Sequence, residues 1–139
     1  MKDIEIDGIA YRIGRMNAIQ QWEVFRRLGP MVPVLALEYR DGADQTPGGR
    51  WIMGGASGAL SELKQADSDY ILQACLAAVE RKGPGDAQWY KFAVNGRLMY
   101  ENDSDLSLLL ALMDEVVQEN LASFFARLRS ASAAAEQAT

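Results

Sequence analysis

Residues 106–128 constrain this chain more than any other stretch. Leu106, Leu110, Met113, Val117, Leu121, Phe124 and Leu128 recur at steps of three and four, the spacing of one helical face. Leu108, Leu112 and Val116 form a second stripe at i, i+4 and i+8, so the first half of this helix is apolar around most of its circumference. Such a helix has to lie at the centre of the fold or be contacted from two sides. The rest of the chain covers the second stripe, or another protein does, through helix-in-groove docking or self-association. Intrachain burial is the simpler expectation.

The N-terminal end supplies a hairpin and a helix. Ile4 and Ile6, then Ile9, Tyr11 and Ile13, lie on two short alternating runs separated by Asp7-Gly8, a dipeptide suited to the positive φ angles of a type I′ turn. Asn17 stands where an N-cap belongs. It predicts a helix over Ala18–Leu28 with Ile19, Trp22, Phe25 and Leu28 on one stripe, ended by Gly29-Pro30.

A second hairpin is expected around Asn95-Gly96, with Gln88–Val94 and Arg97–Tyr100 as its arms. Trp89, Phe92 and Val94 are its apolar candidates. Alternation fails at Trp89-Tyr90 and Phe92-Ala93-Val94, so the register stays open. Ser68–Lys82 reads as a helix capped by Asp67 and closed by Arg81-Lys82 and Gly83-Pro84, with Ile71, Ala74, Cys75, Ala78 and Val79 inward.

Two more helices are expected in the middle. Met31–Tyr39 is nearly all apolar, with Pro33 tolerable in a first turn. Trp51–Leu63 is helical in spacing, although Gly54, Gly55 and Gly58 each cost about 1 kcal/mol against alanine. Residues 41–50 combine turn formers without an apolar anchor and read as a mobile loop. The expected fold is mainly α within the α+β class: an N-terminal β-hairpin, a bundle of four to five helices, and a second short β-hairpin before a long C-terminal helix. At 139 residues this is one globular domain over 1–129, with a flexible alanine-rich tail at 130–139.

Charge and missing residue types narrow the function. The formal charge is −5. An acidic chain disfavours nucleic acid, whose binding releases counterions from a basic face. Arg12, Arg15, Arg26 and Arg27 form the one basic concentration, which reads either as a docking patch for an acidic partner segment or as ordinary solvated arginine. With no histidine, the commonest general base and metal ligand is missing, so neither catalysis nor a cofactor is expected. Cys75 is the sole cysteine and reads as a buried helix position. Glu101, Asp103 and Asp105 imitate the start of a calcium loop, but Leu106 stands where that loop needs glycine and Leu112 where it needs glutamate. Capping by Asp103 or Ser104 accounts for the run. No stretch reaches the ~18 apolar residues of a spanning helix, and the first residues lack the apolar core of a secretory signal, so no membrane role is expected.

Several runs carry a resemblance. Tyr11-Arg12-Ile13-Gly14-Arg15-Met16-Asn17-Ala18-Ile19-Gln20-Gln21-Trp22 and Arg26-Arg27-Leu28-Gly29-Pro30 form the first block. Asn95-Gly96-Arg97-Leu98-Met99-Tyr100-Glu101, with Glu119-Asn120-Leu121-Ala122-Ser123-Phe124-Phe125 closing the last helix, forms the second. Together they resemble the tailed-phage tail assembly chaperones, with the glycine-rich 51–63 segment departing from that pattern. The resemblance implies a protein that binds the tape measure protein of a phage tail, keeps it soluble and helps recruit tail tube subunits. It implies action in the cytoplasm of the infected or lysogenic bacterium and absence from the mature virion. The alternative is a structural tail or connector subunit retained in the particle. Exposed-apolar logic, with the basic concentration, names the candidate partner-binding residues: Arg12, Arg15, Trp22, Phe25, Arg26, Arg27, Val116, Phe124 and Phe125. A homo-oligomer is compatible with the same surfaces.

Overall fold

The computed structural model of the chain describes residues 1–29, 62–83, 85 and 88–138, and leaves the side chains of Phe125, Arg129 and residues 132–138 undescribed. The expected helix at 31–39, the loop at 41–50 and the expected helix at 51–63 up to residue 61 lie outside the described residues.

The N-terminal alternation does what its period requires. β1 (Lys2–Ile6) and β2 (Ile9–Ile13) form an antiparallel hairpin with Ile6 opposite Ile9 and Ile4 opposite Tyr11. Asp7 and Gly8 take φ of 52° and 81°, as a type I′ turn demands. Two strands alone are marginal in water. Here β3 (Val79–Lys82) pairs with β2 and β4 (Trp89–Lys91) pairs with β3, giving a four-stranded antiparallel sheet in the order β1-β2-β3-β4. On its solvent side Asp3, Arg12, Glu80 and Lys91 stand opposite one another in turn, a row of alternating charge across all four strands. Opposite charges facing across strands favour this register.

β3 corrects one expectation. The helix expected over 68–82 is instead α2 (Gln65–Ala77), and Val79–Lys82 leaves it as a strand. Helical spacing continued to Val79, but the open edge of β2 offers the backbone a ladder, with Ile13 opposite Val79 and Tyr11 opposite Arg81. Gly14 donates its N–H to the Ala78 carbonyl at 2.7 Å and starts that pairing. The second hairpin is also divided. β4 belongs to the large sheet, whereas β5 (Ala93–Val94) and β6 (Arg97–Leu98) form a separate pair around Asn95-Gly96, whose φ angles are 52° and 78°. Phe92, fully buried, sits at the break, which is why alternation fails there.

The expected bundle of four to five helices is therefore not the architecture. Among the described residues, α1 (Ala18–Leu28), α2 and α3 (Leu106–Ala138) pack on the sheet face that carries Ile4, Tyr11, Ile13 and Val79. The fold is α+β in a sheet-plus-helix sense. Asp105 caps α3, accepting from the Leu108 N–H at 2.9 Å, while Asp103 accepts from Arg81 and the Ser104 hydroxyl donates to the Tyr100 carbonyl. At 33 residues α3 is about 50 Å long. Every residue from Ala111 to Val117 is buried, including Leu112 and Val116, so the chain itself covers the second stripe. Glu115 lies inside that run and accepts from Lys2 Nζ at 2.9 Å, tying β1 to α3.

Candidate functional site

The site begins with how α1 is seated. Asn17 accepts from the Gln20 N–H at 2.8 Å, and the Gln20 side chain accepts from the Asn17 N–H at 3.2 Å, a complete capping box. Ahead of it, the turn from β2 into α1 is fastened to α3 by one buried residue, Asn120. Its amide oxygen accepts the Met16 N–H at 2.7 Å, and its amide nitrogen donates to the carbonyls of Gly14 (3.2 Å) and Val116 (2.9 Å). Gln21 donates to the Met16 carbonyl from the next turn of α1. A buried polar side chain with its donors and acceptors matched fixes one docking geometry.

With that docking set, α1 sends Val24 and Leu28 into the core and leaves Ile19 and Trp22 of its apolar stripe outside. Ile19 is 73% exposed and Trp22 55%. Phe25 is half-buried and meets Phe124 of α3 edge-on, ring centroids 5.0 Å apart, with the Trp22 ring 6.0 Å away. These three rings and Leu121 line a groove of about 370 Å³ between α1 and α3, with Arg15 and Arg127 among its polar lining. Exposed aromatic surface in a concave setting marks a place where a partner is admitted.

The structure divides the nine candidate residues. Arg15, Trp22, Phe25 and Phe124 come together at the groove. Arg12 does not: it points from the outer sheet face, donates to both Asp3 oxygens (2.9 and 3.3 Å) and lies 4.1 Å over the Trp89 ring. That pairing holds the Asp3 carboxyl below its usual range and raises Arg12. Arg26 and Arg27 share Glu23, whose carboxyl is held low by the Arg26 bond first and Arg27 next. Arg27 also reaches Asp67 at 3.1 Å and covers Tyr70, so it joins α1 to α2. Val116 is fully buried and presents no surface in this conformation. The Phe125 side chain lies outside the described residues.

Sequence reasoning missed Gln21, Asn120 and Arg127 as site residues. Two of them had a helical signal: Arg127 follows Phe124 by three and Asn120 precedes it by four, so each shares a face with a ring already named.

The groove offers binding chemistry. Among the described residues no group of three or more His, Cys, Asp or Glu side chains is placed to hold a metal. Cys75 is fully buried, and burial pushes its thiol up to about 12, which leaves it a packing residue at neutral pH. No described helix is long and apolar enough to cross a membrane.

Compared with known proteins, residues 7–133 match a family model described as phage tail assembly chaperone protein, TAC. The matched span contains the whole groove lining, from Arg15 to Arg127. No curated protein and no solved structure matches the chain.

Proposed function

The chain belongs to the phage tail assembly chaperone family, and from that premise we propose that it binds the tape measure protein of a phage tail, keeps it soluble and promotes tail tube assembly. The observation that carries this reading is the α1–α3 groove, where Trp22 and Phe124 remain exposed beside a half-buried Phe25. A long helical protein waiting for its tube exposes apolar helix faces that self-associate. An apolar groove that takes up such a face lowers the free concentration of sticky surface by mass action. Because the holding is non-covalent, polymerising tube subunits displace the chaperone by covering the same face. The chaperone then works in the cytoplasm of the infected or lysogenic bacterium and leaves no copy in the virion.

Co-expression tests this. The tape measure protein is expected to move from the pellet to the soluble fraction in the presence of this chain and to co-purify with it. Trp22→Asp, at an exposed position, is expected to abolish the rescue while the chaperone itself stays folded. A tape measure protein equally insoluble with and without the chain would overturn the reading. Finding the chain at many copies in purified virions would replace it with a retained structural subunit.

A further inference from the structure

The groove reverses the charge of the chain that carries it. The chain has 19 acidic side chains against 14 basic ones, yet among the described residues the groove lining includes Arg15 and Arg127 and no carboxylate. Both arginines are exposed. Neither has an ion-pair partner among the described residues, whereas Arg12, Arg26, Arg27 and Arg81 each have one. An arginine's planar fork is made for two-point recognition of a carboxylate, and at a groove rim an unmatched one attracts acidic side chains and repels basic ones.

The two arginines also stand on separate elements. Arg15 precedes α1 in the segment that Asn120 fastens to α3, and Arg127 is on α3 itself, one turn past Ser123. The Trp22, Phe25 and Phe124 rings line the same groove. Resting on the reading that a partner helix occupies this groove, we infer that the occupant is an amphipathic helix whose apolar row is flanked by carboxylates. Arg15 and Arg127 recognise those carboxylates and exclude helices flanked by lysine or arginine. The rings supply affinity and the arginines supply selection.

Two labelled peptides test this, each about 20 residues long with leucine at i, i+3, i+4 and i+7. One has glutamate beside the apolar row, the other lysine, and fluorescence anisotropy reads their binding to the full chain. The glutamate peptide is expected to bind at least about tenfold more tightly at low salt, with the margin shrinking as salt rises. The double variant Arg15→Gln, Arg127→Gln, checked for folding by circular dichroism, is expected to erase the margin. Trp22→Ala is expected to weaken the glutamate peptide without changing the salt dependence. Equal binding of both peptides, lost in Trp22→Ala, would overturn the charge selection and leave the groove reading standing. Binding of neither peptide, or a self-association that Trp22→Asp disrupts, would overturn the inference by giving the groove no acidic helix to hold.

Discussion

The Asn120 side chain accepts the backbone N–H of Met16 at 2.7 Å across 104 residues of sequence. That bond decides where α1 lies. It fixes the turn between β2 and α1 against the middle of the long helix, so that Phe124, one turn past Asn120, reaches Phe25 on α1 and the groove takes its shape. A buried polar residue is expensive unless its partners are complete, and here two of the three, the Met16 N–H and the Gly14 carbonyl, are backbone groups in the turn before α1, outside helix and strand.

Asn120→Ala is therefore expected to cost about 3 kcal/mol, because it leaves the buried Met16 N–H and the Gly14 carbonyl without their partner. Urea unfolding measures it. Loss of partner capture should exceed what the lost stability explains, since α1 is no longer held against α3. A variant within about 0.5 kcal/mol of the parent would show that packing alone seats α1.

Gly14 is a second fastening of the same turn. A Cβ added there would stand 2.9 Å from the Ala78 carbonyl oxygen, which is backbone and already accepts the Gly14 N–H. Gly14→Ala is expected to push β2 and β3 apart at the start of their ladder and to destabilise by about 2 kcal/mol. Hydrogen exchange should show earlier opening of Val79 and Ile13, which face each other there.

These two positions mark the limit of what the sequence made legible. Asp7-Gly8, the Asn17 cap and Asn95-Gly96 were readable because each meaning is local: a pair of positive φ angles, or a side chain reaching three residues ahead. The strand at Val79–Lys82 was not, because its reason lies in β2, far away in sequence, and helical spacing ran on to Val79. The groove was half legible. Trp22, Phe25 and Phe124 announced apolar surface. Which apolar residues stay outside depends on how α1 docks, and so Val116 went to the core while Ile19 did not.

The outer ion pairs set an acid limit with a definite sign. Asp3 and Glu23 have their carboxyls lowered from ordinary values of 3.8 and 4.5 by Arg12 and by Arg26 with Arg27. A lowered folded value means the stabilisation is present above the unfolded value and is lost as pH falls through the folded one. The melting temperature should hold from neutral pH to about 5 and then decline. Asp3→Asn with Glu23→Gln should flatten that decline, and 1 M salt should do the same because both groups are solvent-accessible.

Arg81 tests a buried cation. Among the described residues its Nε has no hydrogen-bond partner, while its other end meets Asp103 at 3.3 Å and its guanidinium lies 4.2 Å over Tyr100. Asp103 is 60% exposed, so that ion pair is weak. Arg81→Met keeps the volume and removes an orphaned donor, and its stability is expected within about 1 kcal/mol of the parent, on either side. A loss of about 3 kcal/mol or more in thermal unfolding would mean that the ring contact and the ion pair outweigh the orphan.

Trp22 and Phe25 separate binding from folding within one stripe. Trp22 is more than half exposed, so Trp22→Ala removes little from the core and should change stability by less than about 0.5 kcal/mol. If its ring anchors a partner helix, the same change should weaken capture of the tape measure protein about 30-fold, the scale of an aromatic hot spot. Phe25→Ala differs because the ring is half-buried and meets Phe124 at 5.0 Å. It should cost about 2 kcal/mol in unfolding and weaken capture as well, since Phe124 loses the ring that orients it. Measured together, by urea titration and by pull-down at matched folded fraction, the pair places the docking surface on the outer side of α1. Capture losses that vanish in both variants once the folded fraction is matched, or full capture by Trp22→Ala, would move it elsewhere on the molecule.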